Sequence, residues 1–235
     1  MASTYHSSEN AIKQLNEAQF FALLRREWSP GQHIGIAAPS GWGKTWLLAR
    51  IMALRTWSAV YAMKQEDDSI KQFKGFTILD SFRDRLYSQR HVIVWPDTRD
   101  MIPELAEYQN LKEGRILLDT VFRERHWNLA IDDLNDACAI GLKGKLASML
   151  RLCRAQKTSI VANYQRPFGI IQEILSQSNW SIASYHKDKR DIVRLAEANG
   201  LAPDQALAVN RQLERFDFLV FRPMEEPIIV KRRGT

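Results

Sequence analysis

Ala38-Pro39-Ser40-Gly41-Trp42-Gly43-Lys44-Thr45 sets two glycines, a lysine and a threonine at the spacing of a loop that wraps phosphate. The run matches GxxxxGK[ST] (Walker A) in every position but the first, where Ala38 stands for glycine. Gly41 and Gly43 let main-chain N–H groups curl toward phosphate oxygens, and the helix that follows turns its positive end on them. Lys44 then reaches the β and γ phosphates, and the Thr45 hydroxyl is offered to Mg2+. All eight residues from Ala38 to Thr45 are therefore expected to line a nucleotide. Ala38 is compatible with this as long as its φ stays negative.

Such a loop hydrolyses nucleotide only with a carboxylate on the magnesium shell at the end of a neighbouring strand. Asn128-Leu129-Ala130-Ile131-Asp132-Asp133 supplies one, as a Walker B strand. Asp132 is expected to hold Mg2+ through water and Asp133 to take a proton from the attacking water. Aspartate is one methylene shorter than the glutamate more often found there, so Asp133 must sit closer or act through a further water. The plain alternative is a strand-ending turn rich in Asp. Trp42 and Trp46 beside the loop read as packing residues, with stacking on adenine by Trp42 as the other option.

The elements around these residues follow from periodicity. His33 to Ala38 reads as a short buried strand, and Leu47, Leu48, Ile51 and Met52 mark one face of the helix after the loop. Upstream, Phe20, Leu24 and Trp28 form a helix stopped by Pro30-Gly31, while residues 1 to 7 read as frayed. Further strands are expected at Ser58–Met63, His91–Trp95, Asn128–Ile131, Ser159–Ala162 and Ile182–His186, with a hairpin of Phe218–Arg222 and Ile228–Lys231. Leu142, Leu146, Met149, Leu150 and Cys153 mark an amphipathic helix over 142–155 with a basic outer face. Strands alternating with amphipathic helices predict an α/β domain: a mainly parallel sheet with helices on both faces and an antiparallel C-terminal hairpin at its edge.

Composition narrows the class. At 45% hydrophobic and 26% charged, the 235 residues are those of a globular chain, neither disordered nor fibrous. Thirty-three Lys and Arg against 27 Asp and Glu leave +6, in keeping with a polyanionic partner without requiring one. Two cysteines, Cys138 and Cys153, and five scattered histidines form no disulfide framework or zinc spacing, which fits a reducing cytosol. The start, MASTYHSSENAIKQ, has no apolar h-region, and no run approaches the 18 apolar residues of a bilayer span, so membrane insertion is not expected.

Arg154-Ala155-Gln156-Lys157-Thr158-Ser159-Ile160-Val161-Ala162-Asn163-Tyr164-Gln165-Arg166-Pro167 joins an arginine, an apolar strand and a Gln-Arg-Pro string. This stretch resembles the FtsK/HerA family of DNA-pumping ATPases, and HWNLAIDDLND is similar to the Walker B of its viral branch, the genome-packaging ATPases of tailless double-stranded DNA phages. YHKDKRDIVRLAEANG is similar to the segment that follows in phage members, and the resemblance covers roughly residues 31 to 222. Ala38, Asp133 for Glu, and Asn163-Tyr164 depart from the family pattern.

The resemblance implies a RecA-like P-loop NTPase core (31–235) behind an N-terminal helical extension (1–30), with the sensor strand between the Walker A and Walker B strands. Gln165, or else Asn163, is then the amide that feels the γ-phosphate. Arg154 is the first candidate for an arginine finger acting on the neighbouring subunit, with Arg151 and Arg166 behind it. The implied function is ATP- and Mg2+-dependent translocation of double-stranded DNA by a homo-oligomeric ring, a pentamer or hexamer, with a capsid vertex or portal protein as possible partner. Host cytoplasm or the virion vertex is the implied location. A filamentous-phage assembly or export ATPase, a small-molecule kinase and a non-catalytic adaptor remain as alternatives.

DNA contacts in such a motor must grip the phosphate backbone. Lys71, Lys74, Arg83, Arg85 and Arg90, the mobile loop expected at Gly141-Leu142-Lys143-Gly144-Lys145, and the tail Lys231-Arg232-Arg233 are the candidate sets, each equally readable as a solvated charge run.

Overall fold

The computed structural model describes residues 12–65 and 67–232; residues 1–7, for which fraying was expected, and Arg233 lie outside the described residues. Ten strands are formed among them: β1 (Lys13–Asn16), β2 (His33–Ala37), β3 (Ser58–Tyr61), β4 (Thr77–Leu79), β5 (His91–Val94), β6 (Asn128–Asp132), β7 (Ser159–Tyr164), β8 (Ser178–Ala183), β9 (Phe218–Phe221) and β10 (Ile228–Lys231). They make one sheet in the order β1-β10-β9-β8-β2-β7-β6-β3-β5-β4. Every pairing from β8 across to β4 is parallel, and β9 is the strand that runs against the rest. β7, the strand expected to carry the sensor, lies between β2 and β6, as expected, which brings the C-terminal ends of the three strands together.

Side-chain alternation splits each central strand between two cores. Val92, Val94, Leu129, Ile131, Ile160 and Ala162 face one core, while Ile93, Ala130 and Val161 face the other. The first is closed by α3 (Pro103–Glu124), α4 (Leu134–Ala137), α5 (Lys143–Leu152), α6 (Gln172–Gln177), α7 (Lys189–Ala198) and α8 (Pro203–Asn210). The second is closed by α1 (Glu17–Glu27) and α2 (Lys44–Met52). A strand covered on both faces needs apolar residues at every position, which is why these segments read as continuous apolar runs. No helix among the described residues is long and apolar enough to cross a membrane.

Several expectations change. The hairpin does not end the sheet, because β1 pairs in parallel along β10 from Lys13↔Ile228 to Asn16↔Lys231. Three of its four residues are polar and exposed, and the half-buried Leu15 alone makes no apolar pattern, so β1 is invisible locally. β4 was likewise unmarked. The strand expected at Ile182–His186 starts at Ser178, with Ser178 and Ser181 buried beside β2. Small hydroxyl residues fit there because β2 carries Gly35, whose place for a Cβ is 3.4 Å from Ser178 Oγ.

The loop expected at 141–145 is helical instead. A π-turn over Cys138–Leu142 kinks at Gly141 (φ 101°) and runs directly into α5, where Lys145 pairs with Asp119. Arg85, grouped above with DNA-gripping residues, is packed inward: its side chain is 8% exposed, ion-paired with Glu124 and 4.9 Å from the Trp127 ring centroid.

The start of β2 is held by tight contacts that also seat Arg154. His33 is buried with both ring nitrogens engaged: Nδ1 accepts from Ile160 N–H at 2.9 Å and Nε2 lies 3.0 Å from Leu150 O. Burial pushes its pKa down to about 4, so the ring stays neutral. Gly31, at φ 89°, donates to Ser159 Oγ, and a Cβ on it would lie 2.8 Å from Arg154 O. Both the left-handed φ and the backbone clash oppose a side chain. Gly31→Ala is expected to cost about 2–4 kcal/mol, read as a lower urea midpoint at unchanged m-value.

Candidate active site

The chain leaves β2 at Ala37 and turns immediately. Ala38 N–H donates to Tyr164 O at 3.1 Å, and Ala38 keeps a negative φ, the condition under which alanine replaces glycine there. Ala38 is fully buried and anchors the loop from beneath, while Gly41 (φ 77°) and Gly43 (φ 85°) make the reversals that only glycine makes cheaply. Gly43 caps α2 with no side chain, so the first N–H groups of the helix are left for an anion.

A cleft of about 520 Å3 opens over this loop. Pro39, Ser40, Gly41, Gly43, Lys44 and Thr45 form its floor, with Asp132, Asp133 and Gln165 along one wall. The expected residues from Walker A, Walker B and the sensor strand thus meet in one place. Trp42 does not join them: its ring stacks on Tyr185 at 5.8 Å, away from the cleft, so adenine stacking by Trp42 is not supported. Trp46 lines the cleft instead, with Phe216 and Arg232. The Arg232 guanidinium lies 3.8 Å from the Trp46 ring centroid and 4.9 Å from that of Phe216, so this member of the basic tail belongs to the cleft. Lys231 is paired with Asp217.

Electrostatics mark the same spot. Burial lowers the pKa of Lys44, opposed by the Asp133 and Asp132 charges, so its ammonium awaits more negative charge than the protein supplies. Asp132 is raised, first by burial, with the Asn163 hydrogen bond acting against it and the Asp67 and Asp133 charges adding to it. A cation beside Asp132 would relieve both effects. Thr45 and Asp132 offer a hydroxyl and a carboxylate oxygen with open space for water and phosphate oxygens, a hard, sparse donor set that fits Mg2+.

The two sensor candidates separate. Asn163 is fully buried and donates from Nδ2 to Asp132 Oδ1 at 2.9 Å, holding that carboxylate, whereas Gln165 is exposed to the cleft. The three arginines separate as well. Arg151 pairs with Glu173 at 2.6 Å, and Arg166 with Asp188 and with Asp191. Arg154 is exposed and its guanidinium has no ion pair or hydrogen bond among the described residues. It stands beside Gly31, at the N-terminal end of β2, whereas the loop follows the C-terminal end.

One participant had no motif to announce it. Lys64, three residues beyond β3, reaches across to the residue after β6 and donates to Asp133 Oδ2 at 2.7 Å, with Asp136 Oδ2 at 3.2 Å. Asp133 itself sits at φ 96° and its other oxygen accepts from Asp136 N–H at 3.4 Å, capping α4.

No protein-family model matches the sequence, and no curated protein does. Solved structures match in fold. The genome packaging NTPase B204 from Sulfolobus turreted icosahedral virus 2, in complex with AMP, superposes with a TM-score of 0.62 at 13% identity, over 87% of this chain and 99% of its own. B204 from Sulfolobus Turreted Icosahedral Virus, a DNA-packaging ATPase, gives 0.60 at 14% identity over 88% and 100%. The cytoplasmic domain of the Thermomonospora curvata type VII secretion ATPase EccC gives 0.57 at 13% identity, over 87% of this chain and 25% of that one. The chain therefore shares the α/β fold of these proteins, with the antiparallel β9–β10 pair beside a parallel sheet.

Proposed function

We propose that this chain is an ATPase that translocates double-stranded DNA, a genome-packaging motor of the FtsK/HerA type. The observation that carries the ATPase reading is the convergence of Lys44, Thr45, Asp132, Asp133 and Gln165 on one cleft at the ends of β2, β6 and β7. B204, whose fold this chain shares along nearly its whole length, is a packaging NTPase solved in complex with ATP-gammaS, which supports both the nucleotide and the DNA.

In this reading the loop N–H groups and Lys44 hold the β and γ phosphates, and Thr45 and Asp132 hold Mg2+, which when bound neutralises charge on the phosphates. Gln165 donates to a γ-phosphate oxygen while accepting from water, which its amide can do at once. Asp133 takes the proton as water attacks the γ-phosphorus and the bond to the bridging oxygen breaks, leaving ADP and phosphate. Asn163 keeps Asp132 aimed. Arg154 completes the site of a neighbouring subunit, so the working unit is a homo-oligomeric ring, a pentamer or hexamer, in the host cytoplasm or at the virion vertex, against a capsid or portal partner.

Duplex DNA tests the reading. It is expected to raise the ATPase rate without sequence preference, and its affinity is expected to fall at least tenfold between about 50 and 200 mM salt, because bound phosphates release counterions. ATPase measured against duplex at several salt concentrations checks this. A rate indifferent to DNA, with phosphate passed to a small molecule, would make the protein a kinase.

A further inference from the structure

The Lys64–Asp133 ion pair sits awkwardly for a hydrolase, and the awkwardness is informative. Asp133 is 9% exposed, and both of its oxygens are occupied, one by the Lys64 ammonium and the other by the first turn of α4. Each oxygen thus has one of its acceptor sites taken, and at that burial the Lys64 ammonium stands where a water molecule would approach, so Asp133 is fully available only if Lys64 leaves it. Lys64 is built to leave. Its backbone carbonyl is held, accepting from Trp95 Nε1 at 2.9 Å, but its side chain is 51% exposed on a flexible four-carbon stem.

Its alternative destination is the cleft itself, whose lining it shares with Lys44, Thr45 and Gln165. Lys44 and Lys64 are close enough to repel one another, so two ammonium groups face one space. A γ-phosphate brings more charge than a carboxylate and three acceptor oxygens, and a bond from lysine to it is charge-assisted on both sides.

We propose that Lys64 is a triphosphate sensor: its ammonium pairs with Asp133 in the absence of a γ-phosphate, passes to the γ-phosphate when ATP is bound, and thereby releases Asp133. This rests on the nucleotide reading of the cleft and adds what distinguishes ATP from ADP there. With ADP bound, no competing anion reaches Lys64, and Asp133 stays held.

Calorimetric titration of ADP and of ATP-gammaS, with Mg2+, into the full chain and its Lys64→Ala and Lys64→Arg variants tests this without relying on turnover. The unaltered chain is expected to prefer the triphosphate. Lys64→Ala is expected to lose about tenfold of that preference, the value of one charge-assisted bond, while its ADP affinity stays within about twofold. Lys64→Arg, which keeps the charge, is expected to restore part of it. An unchanged preference in Lys64→Ala overturns the sensor role while its retained ADP binding upholds the nucleotide site. Loss of ADP binding as well, in a variant whose circular dichroism is unchanged, makes Lys64 a support for the loop and also overturns the proposal. Failure of the unaltered chain to bind either nucleotide removes the site and the sensor together.

Discussion

Lys44→Ala is expected to lower ATP turnover by at least about 10³-fold while leaving the fold intact. The loss is large because Lys44 places a full positive charge on the transferring phosphate inside a partly desolvated cleft, where no water replaces it at equal strength. The fold survives because Lys44 packs no core: it is the first residue of α2, facing the cleft, while Leu47, Leu48 and Ile51 of the same helix carry its packing. Burial pushes the Lys44 pKa down, which means that the charged form is disfavoured in the protein without ligand. Removing it should therefore leave the melting temperature of the free protein unchanged or raise it. Paired measurements of turnover and of Tm without nucleotide check both halves. Retained hydrolysis would remove the phosphate-loop assignment, and a collapsed Tm would show that lost activity was lost structure.

Arg154→Ala is expected to lose on the order of 10³-fold in rate with nucleotide binding preserved, and that loss should be reversible by mixing. The expectation comes from where Arg154 stands. It neighbours Gly31 before β2, and the five residues of β2 carry the chain roughly 16 Å before the loop even begins. An arginine at that edge cannot serve its own loop, yet its guanidinium is left without a carboxylate while Arg151 and Arg166 are committed to theirs. Arg154→Ala subunits retain an intact loop, and Lys44→Ala subunits retain an intact arginine. Mixed assemblies contain some interfaces that join the two, so ATPase activity should return in part on mixing two inactive proteins. Coordination around a ring would hold the recovery below the wild-type rate. No recovery, with mixed assemblies shown to form by native mass, would mean that Arg154 only supports the start of β2 against Gly31.

Arg154 and Lys64 show opposite sides of what a sequence carries. Arg154 was singled out only through the resemblance, by its place before β7 and the Gln165-Arg166-Pro167 that follows, and its freedom from ion pairs was not legible, because Glu173, Asp188 and Asp191 lie far along the chain from the arginines they hold. Lys64 belongs to no motif, since its partner is 69 residues away, at the cap of α4. The same holds for Arg232, whose Lys-Arg-Arg surroundings read as a solvated tail until the β9–β10 hairpin carries it back over Trp46.

Walker A, the Asp132-Asp133 pair and the alternation of apolar strands with amphipathic helices were determined by the sequence alone, because each is local. A phosphate loop needs consecutive backbone groups, a strand covered on both faces needs consecutive apolar residues, and both leave contiguous marks. What the tertiary structure decided was pairing across distance. It placed β1 outside β10, turned Trp42 onto Tyr185, chose Asn163 to hold Asp132 and Gln165 to face the cleft, and set Lys64 on Asp133. Each of these depends on which strand lies beside which, and adjacency in a sheet is settled by the packing of the whole core, not by spacing along the chain.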